Sequence, residues 1–338
     1  MSFDAVQDQI VELLSDNEEQ QFIFLTGAAG TGKTTLLERV KNQLSSKKIV
    51  VAPTGIAALN IGGTTINSAF RIGFETVPVI TKSKDPRFAK LLKNLELLII
   101  DEVSMVRAPM LDAISQSLQI YKKSTEPFGG IHVLACGDLF QLPPVVKQHE
   151  EREIYDRYDS IYFFDALSFK EIKNVKYFQL DKSFRQEEDE GFYELLNNIR
   201  IGNDLEKTIN KINSQCFDPT LESDAYMTLT SRKNRAEELN NHKLTYLDSP
   251  EEIIKSKEFG ELNENDLPAP RELKIKQGAS VMFIKNDSEG RWVNGTLGTV
   301  AECLDKKKKC IKVKINNKTH KVEREEWNKV KFTYDDDS

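Results

Sequence analysis

The residues best suited to chemistry crowd into one stretch, FIFLTGAAGTGKTT, from Phe22 to Thr35. Gly27, Ala28, Ala29, Gly30, Thr31, Gly32, Lys33 and Thr34 fit the spacing G-x-x-x-x-G-K-[ST] without a mismatch, and Thr35 follows. Glycines at these steps let backbone approach a polyanion and turn N–H groups inward, while a helix opening near Lys33 aims the positive end of its dipole at the same point. Lys33 is then expected to reach the β- and γ-phosphates of a nucleotide, and the Thr34 hydroxyl to hold Mg2+. A chance glycine-rich turn before a buried helix is the plain alternative, and the apolar strand before the loop argues against it.

Two further clusters extend this chemistry. LELLIIDEVSM, residues 95–105, places Asp101 and Glu102 at the C-terminal end of a buried apolar run, where ligands of open parallel sheets collect. There Asp101 can hold Mg2+ through water and Glu102 can polarise an attacking water; carboxylates after a strand otherwise serve as helix caps. GGIHVLACGDLFQLPPV, residues 129–145, ends a second apolar run in Gly137-Asp138, with Gln141 in a loop stiffened by Pro143 and Pro144, placed to sense a γ-phosphate. Near the N-terminus Gln7 and Gln9 ride on a helical pattern, and a glutamine amide there could pair with adenine; polar helix faces also carry glutamine routinely.

A different surface is suggested by the loop after Pro53. GIAALNIGGTTINSAF is small, hydroxyl-rich and glycine-bearing, so its side chains and N–H groups can lie along a sugar-phosphate backbone with Phe70 available for stacking. An ordinary turn with helix caps is an equal reading of these residues taken alone.

The elements that must position these groups are legible as periodicity. Phe3, Val6, Ile10, Leu13 and Leu14 recur at helical spacing, as do Leu36, Leu37, Val40 and Leu44 after the loop. Short apolar runs ending at Gly27, Ala52, Asp101 and Gly137 alternate with helical segments, which predicts an α/β fold with a parallel sheet. Residues 71–90 lose periodicity, carry Pro78, Pro86 and the basic Lys82, Lys84 and Arg87, and read as a surface insertion. Phe192, Leu195, Leu196 and Ile199 predict a helix, AYMTLTS a strand and RKNRAEELNNHKL a charged helix, together a second, smaller α/β unit. Residues 247–272 suggest a connection with a hairpin, and VMFIK, GTLGTVAECL, KCIKVKI and HKVERE alternate at period two, which suggests a small barrel.

Composition bounds the classes. The chain has 338 residues, 39% of them hydrophobic and 30% charged, enough for more than one core and unlike a disordered or fibrous chain. A net charge of −6 advertises no global basic field, so nucleic-acid binding must rest on a local groove. Cys136, Cys216, Cys303 and Cys310 form no C-x-x-C pair, so reduced thiols in a cytoplasmic compartment, without structural zinc, are expected. No charged n-region precedes an apolar run, and no segment approaches the ~18 apolar residues of a membrane span.

Taken in order, GAAGTGKT, APTGIAALNIGGTTINSAF, IIDEVSM and GDLFQLPPV resemble the motifs of the petite-integration-frequency family of DNA helicases, in superfamily one beside RecD and Dda. LDKSFRQ followed by GFYELLNNIRIG resembles that family's fourth motif, and LTSRKNRAEELN and GASVMFIKND…WVNGTLGTV its later segments. The resemblance implies an ATP- and Mg2+-dependent motor that moves 5′-to-3′ on single-stranded DNA and unwinds forked or structured DNA in repair, recombination and telomere maintenance, as a monomer in solution. It implies two RecA-like P-loop domains, the first over 1–180 with a small wedge insertion at about 71–90, the second over 181–295, and an SH3-like β-barrel over 296–338. Carried over residue by residue, it implies nucleotide contacts at Gly27 through Thr35 and at Gln7, metal contacts at Thr34 and Asp101, and catalytic roles for Lys33, Asp101, Glu102 and Gln141. Arg185 corresponds to an arginine that reaches the γ-phosphate from the second domain; pairing with Glu187 or Glu188 is its plain alternative. Pro53, Thr54, Asn60, Thr65, Asn67, Ser68 and Phe70 fall on the DNA path.

The resemblance lapses at the end. A segment like HKSQG and a final motif with a second arginine finger are absent from the sequence, so the second domain and barrel are expected to be incomplete and the chain truncated. A nucleotide- and single-strand-binding fragment without efficient turnover is therefore the alternative to a working helicase. A P-loop kinase or clamp-loader-like ATPase is disfavoured by Gln141, Arg185 and the loop after Pro53.

Overall fold

Phe22 and Phe24 face one side of their strand while Ile23 and Leu25 face the other, and all four are buried, which requires helices on both faces of the sheet. The computed structural model describes residues 2–16, 19–182, 190–218, 228–259, 269–305 and 310–326. It divides into two compact units, Met1–Phe217 and Asp218–Ser338.

The first unit runs α1 (Phe3–Ser15), β1 (Phe22–Gly27), α2 (Lys33–Gln43), β2 (Lys48–Ala52), α3 (Gly55–Asn60), β3 (Thr64–Thr65), α4 (Ile66–Phe70), α5 (Pro86–Lys93), β4 (Leu97–Ile100), α6 (Ala108–Lys122), β5 (His132–Cys136), α7 (Gln148–Tyr155), α8 (Leu167–Lys170), β6 (Val175–Leu180), α9 (Glu190–Ile201) and α10 (Leu205–Cys216). Its six strands form one sheet in the order β3-β2-β4-β5-β1-β6, with every pairing parallel. Ile23, Leu25, Ile99, Leu134 and Cys136 pack on α1 and α2, while Phe22, Phe24, Leu98, Ile100 and Val133 pack with Leu111, Ile114 and Leu118 of α6. Each such large side chain contributes roughly 1.5–3 kcal/mol on burial. The expected RecA-like α/β architecture of the first domain is present, and the ends of β1, β2, β4 and β5 lie along one edge of the sheet.

The segment 71–90 divides. Residues 72–85 carry neither helix nor strand, but Ile72, Phe88 and Leu92 are buried in the main core, so its two ends are core rather than surface. An Arg71–Asp85 ion pair at 2.6 Å closes its base, with the guanidinium 4.4 Å from the Phe88 ring centroid. In this division α9 and α10 fall in the same compact unit as the first sheet.

The second unit holds α11 (Lys233–Thr245), the antiparallel pair β7 (Glu252–Lys255) and β8 (Glu272–Ile275), and β9 (Ser280–Met282), β10 (Leu297–Asp305), β11 (Cys310–Ile315) and β12 (Lys318–Val322). These last four form an antiparallel sheet in the order β12-β11-β10-β9. Trp292, Val313 and Ile315 form its core, with Phe283 stacked 4.5 Å from Trp292. The period-two segments are strand over β9 to β12, with 283–285 and 323–325 outside them, and β7, within 247–272, pairs with β8, of which only Glu272 falls in that stretch. Thr228–Ser231 of AYMTLTS are not strand, its first residues lie outside the described set, and no second parallel sheet exists among the described residues. No helix among the described residues is long and apolar enough to cross a membrane.

Candidate functional site

At the end of β1 the chain turns so tightly that a Cβ on Gly27 would meet the Leu180 carbonyl oxygen and Thr31 Oγ1, each at 2.6 Å. Gly30 and Gly32 hold φ of 81° and 86°, a left-handed backbone that glycine adopts without cost, and Gly32 is the N-cap of α2. The Thr31 hydroxyl donates to Ala28 O at 2.9 Å. Lys33 Nζ donates back to Gly27 O at 2.8 Å and Ala28 O at 3.0 Å, so the loop is folded around its own cation. Ala29 and Thr35 are exposed, while Gly30, Gly32, Lys33 and Thr34 are half-buried at the mouth of the loop.

Asp101 follows β4 and is 5% exposed. Burial raises its carboxyl above the ordinary value, against the pull of the Glu102 N–H, the Cys136 thiol and the Lys33 charge. Glu102 N donates to Asp101 Oδ1 at 3.0 Å, and Glu102 itself sits at φ 52°, ψ 41°, an uncommon left-handed conformation for a non-glycine residue. Its carboxyl is also raised, by burial first and then by the Asp101 charge, with Lys33 opposing and Asp138 adding. These mutual influences place Lys33, Asp101, Glu102 and Asp138 within one electrostatic neighbourhood. Cys136, at the end of β5, is held well above its ordinary pKa by burial and then by the Asp101 charge, so it remains a thiol.

Mg2+ is commonly held by one or two carboxylates, substrate phosphates and water rather than by a full protein cage. The hard oxygens of Asp101 and Thr34 fit that demand, and no cage of three or more His, Cys, Asp or Glu exists among the described residues.

A Cβ on Gly137 would come to 2.9 Å from Ser104 N, so the end of β5 presses against the turn after Glu102 and brings Asp138 and Gln141 beside the carboxylates. Asp138 is fully buried. Gln141 is exposed, but its Nε2 donates to Asp138 Oδ2 at 3.0 Å. Arg200 of α9 grips the same carboxylate through Nε and Nη2, both at 2.8 Å. Burial would raise Asp138, yet Arg200, the Phe140 N–H and Gln141 together hold its carboxyl below the ordinary value. Neither Asp138 nor Arg200 is marked as a site residue by the sequence; Asp138 stands three residues before Gln141, but its partner Arg200 is distant in sequence.

Gln7 is 8% exposed, between α1 and α2. Its Nε2 donates to Gln43 Oε1 at 2.8 Å, and Arg39 Nη1 donates to its Oε1 at 3.5 Å, so reading adenine would require an exchange of partners. Gln9 is exposed. Along the expected DNA path Thr54, Asn60 and Ser68 are exposed, and Pro53, Thr65 and Asn67 half-buried. Thr54 Oγ1 accepts from Ala57 N at 3.3 Å, and Thr65 caps α4 by accepting from Ser68 N. Asn67 Nδ2 donates to Ile72 O at 3.1 Å and Gly73 O at 2.9 Å. Phe70 is a correction: at 3% exposure it belongs to the core, where its ring cannot stack on a base. Arg185 lies outside the described residues.

A model of the PIF1-like helicase family matches residues 2–210. The ATP-dependent DNA helicase PIF1 of Saccharomyces cerevisiae is 33% identical over 319 residues, spanning 88% of this chain and 35% of that protein. The crystal structure of Pif1 helicase from Bacteroides in complex with ADP-AlF3 and single-stranded DNA is similar at a TM-score of 0.82 and 36% identity, covering 100% of this chain and 78% of that one. A structure describing unwinding at forked duplex DNA by two coordinating Pif1 helicases is similar at a TM-score of 0.80 and 37% identity, covering 97% of this chain and 77% of that one. The chain therefore spans about a third of the yeast relative's length, and on these matches it belongs to the PIF1-like helicase family.

Proposed function

We propose that this chain is the motor portion of an ATP-dependent DNA helicase that travels 5′-to-3′ on single-stranded DNA and opens duplex ahead of it. The observation that carries this reading is the convergence of Lys33, Asp101, Glu102 and Gln141 on one edge of a single parallel sheet, around a loop shaped for phosphates. The loop from Gly27 to Thr35 binds the phosphates, and Lys33 exchanges its carbonyl partners for phosphate oxygens. Thr34 and Asp101 would hold Mg2+, which would supply positive charge to offset that of the phosphates. Glu102 takes a proton from the attacking water and Gln141 orients it; burial, which keeps Glu102 basic, favours that role. Gln7 contacts the base, and Arg185 completes the γ-phosphate site.

DNA lies against Pro53, Thr54, Asn60, Thr65, Asn67 and Ser68. The segment at about 71–90, with Phe74 86% exposed, forms the wedge at the junction of a fork. A second RecA-like lobe begins at 181, and the antiparallel sheet of the second unit belongs to an SH3-like barrel that includes 296–338. The protein works in the cytoplasm as a monomer on forked or structured DNA. Support comes from the relatives, whose names describe ATP-dependent DNA helicases, and from the Bacteroides protein captured with ADP-AlF3 and single-stranded DNA.

The deciding experiment measures ATP hydrolysis with and without single-stranded DNA, for wild type and Lys33→Ala. DNA-stimulated turnover lost in Lys33→Ala supports the reading. Nucleotide and DNA binding without turnover selects the binding-fragment alternative instead.

A further inference from the structure

Four donors from three residues meet on the Asp138 carboxylate. Oδ1 accepts from Phe140 N at 3.1 Å and Arg200 Nη2 at 2.8 Å; Oδ2 accepts from Gln141 Nε2 at 3.0 Å and Arg200 Nε at 2.8 Å. The Arg200 guanidinium also faces the Phe140 ring at 4.6 Å. The carboxylate side chain is 1% exposed and that of Arg200 20%, so the pair is largely removed from water. A buried ion pair gains little net stability, because desolvation offsets attraction; what it fixes is geometry, and a two-pronged fork does so where a lysine point charge cannot.

That fixing matters at this position for two reasons. The amide of Gln141 is tethered by one N–H, leaving its oxygen and its second N–H for a ligand. The helix that supplies Arg200 is otherwise held by buried Leu195 and by Tyr193, whose hydroxyl donates to Asp181 O at 3.3 Å, while Leu196, Ile199 and Ile201 of α9 are 36%, 42% and 46% exposed. α9 also follows directly, in sequence, on the segment that carries Arg185.

We propose that Arg200 is a positioning residue for nucleotide hydrolysis, which through Asp138 locks the Gln141 amide in its working orientation and ties the sensor loop to α9. The proposal rests on the functional reading above. Arg200 touches neither nucleotide nor water in this role; it acts on rate by restricting where Gln141 stands. Its removal therefore lowers kcat and spares nucleotide affinity, and its effect exists only while Gln141 is present.

The test is a double-mutant cycle in the full chain, with DNA-stimulated ATP hydrolysis and binding of a fluorescent ATP analogue as readouts. Wild type, Arg200→Lys, Gln141→Ala and the double variant are compared, with Lys33→Ala as the control for the site itself. Arg200→Lys is expected to lose about tenfold or more in kcat with KM changed less than about twofold, and the double variant to be no slower than Gln141→Ala alone. If Arg200→Lys does not fold, Asp138→Asn, which keeps the side-chain shape, enters the same cycle. Losses that multiply in the double variant, or a raised KM at unchanged kcat, overturn the positioning role and leave the functional reading standing. Wild-type turnover that is absent, or untouched by Lys33→Ala, overturns both.

Discussion

The Lys33 ammonium donates to the Gly27 carbonyl oxygen at 2.8 Å, closing the phosphate loop on the residue that opens it. A cation spending its hydrogen bonds on neutral carbonyls gains far more from a polyanion, since charge-assisted bonds are about twice as strong as neutral ones. Lys33→Ala should thus weaken ATP binding by roughly tenfold or more. It should leave the melting temperature near that of wild type, because the bonds lost are loop-internal and half-exposed. Titration with a fluorescent ATP analogue and a thermal melt check the two halves; unchanged affinity would remove Lys33 from the phosphates.

Glu102 and Asp101 are both raised by burial, Glu102 further by its neighbour's charge. For an acid with a raised folded pKa the folded state binds more protons than the unfolded one, so stability falls as pH climbs from the ordinary carboxylate value through the raised one. Above that window the ionised pair is a standing cost. Glu102→Gln, which removes one charge and keeps the shape, should be at least as stable as wild type at neutral pH. It should bind nucleotide normally and hydrolyse it about 10²–10⁴-fold more slowly. Melting and single-turnover hydrolysis on the same preparation decide this, and equal hydrolysis would take Glu102 out of the chemistry.

How much of this was legible follows from how local each signal is. The phosphate loop, the Asp101-Glu102 pair and Gln141 are each written in contiguous residues at the end of an apolar run, and parallel strands deliver such ends to one edge by construction. The partner of Arg200 was not legible: its helix lies in the stretch that resembles the family's fourth motif, but only the folded register brings it onto Asp138. Phe70 misled for a related reason. An aromatic after a run of small and hydroxyl residues looks available, yet Ile66, Ala69 and Phe70 form the buried face of one short helix.

Asp138 should set part of the acid sensitivity of the fold. Its folded pKa lies below the ordinary value, so between the two the unfolded chain binds more protons, and stability rises with pH across that window. The contribution is present above the ordinary carboxylate pKa and is lost as pH falls through the lowered one. Thermal melts stepped from neutral pH down to about pH 3 should show a shallower acid decline for Asp138→Asn than for wild type. A parallel decline in the two proteins would mean that other carboxylates carry the acid limb.

The loop after Pro53 separates residues that hold the fold from residues free to meet DNA, and substitutions should divide the same way. Phe70→Ala opens a cavity in the main core and should cost about 3–5 kcal/mol. Asn67→Ala strips the Ile72 and Gly73 carbonyls of their donor, in bonds water can partly replace, and should cost about 0.5–1.5 kcal/mol. Asn60→Ala, at an exposed helix end, should leave the melting temperature unchanged and lower single-strand affinity instead. Because the remaining contacts are phosphate-directed donors, affinity should fall steeply with salt, tolerate sequence changes and favour single strands over duplex. Fluorescence anisotropy with single-stranded and duplex oligonucleotides at matched salt, run beside the melts, tests the division. If Asn60→Ala binds single strands as wild type does while duplex binds more tightly than either, the DNA path lies elsewhere on the molecule.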